Sequence, residues 1–140
     1  FLIPSTLKIA ISQRLVRILC DRCKIKVKVS EKVKNYILKN FKEIPSSLIK
    51  KMKIQDFSYA FEASGCEACN FKGYKGRTGL FEVLQMTDEL ADIILKNPVE
   101  RLILKSAQKQ GMLTMVQEGI LKVLAGETTI DEITMATEEK

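Results

Sequence analysis

Cys20-Asp21-Arg22-Cys23 and Cys66-Glu67-Ala68-Cys69 decide how this chain is read. Each is a C-x2-C knuckle, 42 residues separate them, and the sequence holds no other cysteine. The spacing lets two thiolates reach one cation without strain. Two knuckles then close a tetrahedral four-thiolate shell of the kind Zn²⁺ takes in structural sites. Such a shell leaves no open position for water, which argues against zinc catalysis. Three other chemistries use the same residue type. Two disulfides need an oxidising compartment, and no secretory signal is visible. A thioredoxin-like redox pair accounts for one knuckle, not two. An iron–sulfur centre also takes four thiolates. The gap exceeds the common zinc-ribbon spacing and leaves room for a helical insertion. Arg22, Lys24 and Lys72 flank the knuckles. They either offset the charge of a metal–thiolate centre or are surface cations of a Lys-rich chain.

Working outward, 140 residues with 46% hydrophobic and 29% charged side chains describe an ordinary soluble globular protein. The longest run without Asp, Glu, Lys or Arg extends only from Gln110 to Gln117, far short of the roughly 20 apolar residues of a membrane span. Histidine is absent, which removes Ser-His and Cys-His nucleophile pairs and any His-ligated metal. No catalytic and no cofactor-binding residue is assigned. Residues 1–53 carry a net charge of +11 and residues 54–140 a net of −5. Such polarity suits a nucleic-acid or membrane-facing surface. The basic half, however, lacks the interleaved aromatics of single-strand binders, which favours a solvated Lys-rich surface complemented by the acidic half or by a neighbouring subunit. The chain opens on Phe1 rather than Met, and is therefore expected to be part of a longer polypeptide.

Apolar periodicity predicts mostly helices. Leu7, Ile11, Leu15, Ile18 and Leu19 share one face of a helix over Ser5–Leu19, after Pro4. Ser30 caps a second helix over Glu31–Lys42, whose i, i+3, i+4 pattern is Val33, Tyr36, Ile37, Asn40 and Phe41. Pro45 breaks it, and a short helix follows over Ser46–Met52. Phe57, Tyr59 and Phe61 alternate with polar or small residues, a half-buried strand. Gly73-Tyr74-Lys75-Gly76-Arg77-Thr78-Gly79 is neither a P-loop nor a dinucleotide fingerprint. It reads as tight turns around a metal knuckle, followed by a strand over Leu80–Met86. Thr87, Asn97-Pro98, Thr114 with Gln117, and Thr129 with Glu132 open four further helices. Gly111 and Gly126 end two of them. Met112, Met115 and Met135 are read as core filler. The expected fold class is mainly α, with a small β-containing tetracysteine zinc subdomain and a C-terminal helical bundle. The expected divisions are residues 1–19, 20–86 and 87–140.

Three blocks of motifs carry a resemblance. The first is Gln13-Arg14-Leu15-Val16-Arg17, with Leu19-Cys20 and Cys23-Lys24. The second is Gly65-Cys66, Cys69, the glycine-rich run from Gly73 to Gly79, and Glu82-Val83-Leu84. The third is Gly111-Met112, Glu118-Gly119, Lys122-Val123-Leu124-Ala125-Gly126 and Thr128-Thr129-Ile130-Asp131-Glu132-Ile133. In this order, around two C-x2-C pairs, they resemble the C-terminal end of the type II secretion and type IV pilus assembly ATPases. Lys24–Glu62 has no matching motif, and Asp21 stands where the family often has proline. The resemblance implies a hexameric motor at the cytoplasmic side of the inner membrane that hydrolyses ATP to drive assembly. It implies structural Zn²⁺ on Cys20, Cys23, Cys66 and Cys69 in a subdomain beside the motor core, the first nineteen residues belonging to the motor as a helix. Neighbouring subunits and an inner-membrane platform protein are the implied partners. ATP and Mg²⁺ belong to the full-length protein only, because the phosphate-binding loop, the magnesium-coordinating acids and the histidine-bearing motif lie upstream in the family. Reading upstream of Phe1 is expected to reveal a G-x4-G-K-[ST] loop. The alternative is a zinc-ribbon-like nucleic-acid-binding module, which would bind with a steep dependence on salt.

Overall fold

The computed structural model describes residues 2–42, 44 and 57–138. Short helix α1 (Leu2–Thr6) leads into the long strand β1 (Ile9–Leu19). The first cysteine pair follows, then β2 (Ile25–Lys28) and α2 (Glu31–Phe41). Strand β3 (Tyr59–Glu62) precedes the second pair, and β4 (Tyr74–Gln85) follows it. Four helices complete the chain: α3 (Asp88–Lys96), α4 (Glu100–Lys109), α5 (Met115–Leu124) and α6 (Ile130–Thr137). Strands β1 and β4 form one antiparallel ribbon, with Leu15 opposite Gly79, and β2 with β3 form a second. Among the described residues, no helix is long and apolar enough to cross a membrane.

The fold is mixed rather than mainly α: six helices stand beside two antiparallel ribbons among the described residues. The largest departure lies in residues 9–19, which form strand β1 and not a helix. The positions Leu7, Ile11, Leu15 and Ile18 fit a 3.6-residue period, but Ile9, Ile11 and Leu15 equally fit a period of 2. A partner strand on the far side of both knuckles settles the choice, because cross-strand pairing to β4 satisfies the whole backbone on that side. Val16 and Leu19 are buried, whereas Ile11 and Leu15, inward on the helical reading, are exposed. The glycine-rich run is likewise mostly strand, since β4 starts at Tyr74 and takes in Gly76 and Gly79. Strand β2 was not expected from its Lys-rich sequence. It exists because β3 offers it a partner.

Capping chemistry placed most helix starts well. Ser30, Thr87, Thr114 and Thr129 each accept a backbone N–H of their own helix through the side-chain oxygen. Thr114 and Gln117 form a reciprocal capping box, as expected. Helix α4 differs: it starts at Glu100 with Val99 as an N-cap that makes no side-chain bond, two residues beyond Pro98. Gly111 and Gly126 adopt positive φ at the expected helix stops. Met115 is core, but Met135 is exposed on the outer side of α6. The expected helix over Ser46–Met52 lies outside the described residues.

Two apolar clusters hold the described residues together. One joins Val16 of β1, Ala60 of β3 and Leu80 of β4 to Met115 and Val123 of α5 and Ile133 of α6. The other joins Ile37 and Phe41 of α2 to Ile120 and Leu121 of α5. Helix α5 therefore serves both cores. Helices α5 and α6 do not have a core separate from the strands, contrary to what their separation in sequence suggests. Gly119 lets α6 approach: a Cβ there would stand 2.7 Å from two carbons of Ile133.

Candidate metal centre

The two cysteine pairs converge because the strands that carry them pair. Cys20 directly follows β1, and its N–H donates to the carbonyl of Gly73 at 2.9 Å, just before β4. The first knuckle is a turn in which the Cys20 carbonyl accepts from Cys23 at 3.1 Å and from Lys24 at 2.9 Å. The second repeats the pattern, the Cys66 carbonyl accepting from Cys69 at 3.1 Å and from Phe71 at 2.8 Å. Asn70 and Phe71 adopt φ of 51° and 59°, unusual for residues with a side chain, and so bend the chain back over Cys69. Gly73, with φ of 74°, is required on two counts. Its φ suits glycine, and a Cβ would stand 2.5 Å from that of Ala63.

The four sulfurs lie within 4.8 Å of one another. The Cys20–Cys66 separation is 4.0 Å, and the Cys23–Cys69 and Cys66–Cys69 separations are 3.8 Å. A regular tetrahedron with metal–sulfur arms of about 2.3 Å has edges of about 3.8 Å, so these distances fit a tetrathiolate metal site. None of the cysteines is in a disulfide. All four sequence-predicted ligands are thus brought together, and the cluster could hold a metal ion.

The surroundings favour negative charge on one side of the cluster. Backbone N–H groups of Cys66 and Gly73 each donate to Cys69 Sγ at 3.2 Å. Burial pushes the Cys69 thiol up, but these two donors and the sulfurs of Cys23 and Cys66 outweigh it and bring it down to about 6. Cys23 goes the other way: burial, helped by hydrogen bonds to the other three sulfurs, pushes it up to about 12 against the pull of the Gly65 backbone. Four crowded thiols cannot all shed their protons without a cation among them.

Four contacts that sequence reasoning missed tie this centre to α5, α6 and the turn between them. Lys24 flanks the first knuckle, yet its Nζ donates to the Gly126 carbonyl at 2.9 Å and pairs with Asp21 at 2.6 Å. It also lies 5.3 Å from the centre of the Phe61 ring. The N–H of Leu19 donates to the Glu127 carbonyl at 2.8 Å, and Thr128 Oγ1 donates to the Arg17 carbonyl at 2.8 Å. Arg17 in turn uses both its backbone N–H, at 2.9 Å, and its guanidinium, at 2.6 Å, to bond Glu132 at the start of α6. The Arg17 guanidinium stacks 4.1 Å from the centre of the Tyr74 ring. That bond diverts Glu132 from the reciprocal capping role expected of it, so Thr129 caps α6 alone. The recurrent turn between α5 and α6 was the available signal, since a buried Thr and Glu there need partners. Lys75 and Arg77 lie exposed on β4.

Known proteins resemble this chain over nearly its whole length. It is 32% identical over 139 residues to the "Type IV pilus assembly ATPase PilB" of Thermus thermophilus, covering 99% of this chain and 14% of that protein. It is 33% identical over 139 residues to the Acinetobacter baylyi protein of the same name, covering 99% of this chain and 22% of that protein. To the "Type II secretion system ATPase E" of Vibrio cholerae it is 32% identical over 139 residues, covering 99% of this chain and 25% of that protein. The chain thus spans a quarter or less of the length of these relatives. The family model described as "Type II/IV secretion system protein" matches residues 1–135. With this match spanning nearly the whole chain, the chain belongs to the type II/IV secretion system protein family.

Proposed function

We propose that this chain is the zinc-binding, non-catalytic C-terminal region of a hexameric ATPase that powers type IV pilus assembly or type II secretion. One observation carries the zinc assignment: four sulfurs at near-tetrahedral separations in a family member. A full thiolate shell makes the ion a staple, holding Cys20 and Cys23 after β1 against Cys66 and Cys69 before β4. Residues 1–19 belong with the motor, 20–86 form the metal subdomain, and 87–140 form the C-terminal helical region. Nucleotide and Mg²⁺ bind outside these residues, in the rest of the full-length protein. The assembled motor works at the cytoplasmic face of the inner membrane, against neighbouring subunits and a platform protein.

The decisive measurement is elemental analysis. Protein purified without chelator should carry one zinc per chain. Protein without zinc would falsify the four-cysteine assignment. A second expectation concerns activity. The sequence contains no G-x4-G-K-[ST] phosphate-binding loop, and phosphoryl transfer depends on a phosphate cradle together with its metal. The purified 140-residue chain should therefore release phosphate from ATP no faster than a buffer blank. Turnover abolished by a point substitution within the chain would overturn the non-catalytic reading.

A further inference from the structure

The four sulfurs are close enough to bond to one another as well as to an ion. Three pairs are in hydrogen-bonding contact: Cys20 with Cys66 at 4.0 Å, Cys23 with Cys69 at 3.8 Å, and Cys66 with Cys69 at 3.8 Å. Covalent bonding asks each pair to close by about 2 Å, within reach of side-chain rotation. One division of the four sulfurs uses these contacts alone, Cys20–Cys66 with Cys23–Cys69. Pairing Cys66 with Cys69 leaves Cys20 to Cys23, a pair outside that set.

Each of the two cross-knuckle pairs joins an accessible sulfur to a sheltered one. Cys23 and Cys66 are partly exposed, whereas Cys20 and Cys69 are buried. A cleft of about 250 Å³ lined by Cys20, Arg22, Ala68 and Lys75 opens beside the centre. Oxidants select partly exposed thiolates in electropositive surroundings. A buried partner already in contact captures the first oxidation product before it can go further.

We propose that the tetracysteine centre is an oxidation site for hydroperoxides, converting to the cross-knuckle disulfides Cys20–Cys66 and Cys23–Cys69 with release of its ion. This rests on the zinc reading. The Cys23 thiolate attacks one peroxide oxygen, the O–O bond breaks and hydroxide leaves, giving a sulfenic acid. The Cys69 thiolate attacks that sulfur, the S–O bond breaks and hydroxide leaves again. Cys66 and Cys20 repeat both steps. Four thiolates, two hydrogen peroxide molecules and four protons thus give two disulfides and four waters. Sulfur loses four electrons, the peroxide oxygens gain them, and the divalent ion keeps its charge. The ion departs because the thiolate is the metal ligand and none remains. The new bonds then take over its mechanical role. Each spans 46 residues and ties the turn after β1 to the turn before β4. Crosslinks across long loops restrict the unfolded chain most. Bonds within the knuckles would leave the two turns free of each other. Thiol–disulfide exchange with a dithiol reverses the oxidation, after which zinc returns.

Titrating the zinc-loaded protein with hydrogen peroxide tests this. Zinc released to a chromogenic chelator and loss of free thiol should run in parallel, four thiols for each zinc. Trypsin cutting after Arg22, with a Glu-specific protease cutting after Glu67, separates all four cysteines. Unreduced peptide mapping should then find Cys20 joined to Cys66 and Cys23 to Cys69. The amides of β1 and β4 should stay protected in the oxidised protein and lose protection in the reduced, chelated one. Dithiothreitol followed by zinc should restore the starting thiol and metal content. Disulfides within either knuckle, disulfide-linked dimers, sulfinic or sulfonic acids as the main products, or zinc and thiols both retained in excess peroxide would each overturn the proposal. Protein that carries no zinc as purified sinks the zinc reading alone. The disulfide map of the peroxide-treated reduced chain then still decides the pairing.

Discussion

Replacing Cys66 with Ser, or stripping the metal with a chelator, is expected to unfold both ribbons and carry α5 and α6 with them. Structural zinc contributes about 10–16 kcal/mol in small zinc-dependent domains, whereas a whole domain is stable by about 5–15 kcal/mol. The two ribbons meet at the knuckles, and Ala60 and Leu80 sit in the same cluster as Val123 and Ile133. Loss of the centre should therefore reach residues more than fifty positions away in sequence. The hairpin of α3 and α4 is different. Its buried Leu90 and Ala107 belong to neither apolar cluster. Amide exchange should show α5 and α6 losing protection on metal removal while α3 and α4 keep theirs. Equal protection of α5 and α6 with and without metal would show that the helices hold themselves together.

Glu132→Ala should cost about 2–3 kcal/mol, because a buried carboxylate with charge-assisted hydrogen bonds is lost and the Arg17 N–H is left without its acceptor. The acid is almost fully buried, whereas Arg17 is 48% exposed, which keeps the cost below that of breaking a fully buried ion pair. The hydrogen bond from the Arg17 side chain holds Glu132 below its ordinary value of 4.5, against the upward push of burial, with the Arg17 backbone N–H and charge adding to it. A depressed folded-state value has a definite sign. The stabilisation is complete above the ordinary carboxylate value and is lost as pH falls through the folded one. Urea midpoints measured from pH 7 downward should fall below pH 4.5 in the native protein, and Glu132→Gln should flatten that component. An unchanged pH profile in Glu132→Gln would assign the acid sensitivity to other carboxylates.

The candidate metal site was legible in the sequence because the signal is local. Two residues between cysteines fix a turn whatever the rest of the chain does, and each cysteine pair is a knuckle by its spacing alone. Ser30, Thr87, Thr114 with Gln117, and Thr129 were legible for the same reason, since a cap bonds within its own first turn. The stripe of α2 and the positive-φ stops at Gly111 and Gly126 also depend only on neighbours. Residues 9–19 were not legible. Their apolar positions satisfy two periods at once, and only pairing with β4, beyond both knuckles, separates strand from helix. Tertiary structure also decided the polar partners. Glu132 bonds Arg17 rather than its own helix start, and Lys24 bonds the turn at Gly126. The physical reason is common to all three: a backbone edge or a buried charge takes the partner that folding brings within hydrogen-bond distance, and sequence proximity does not specify which one that is.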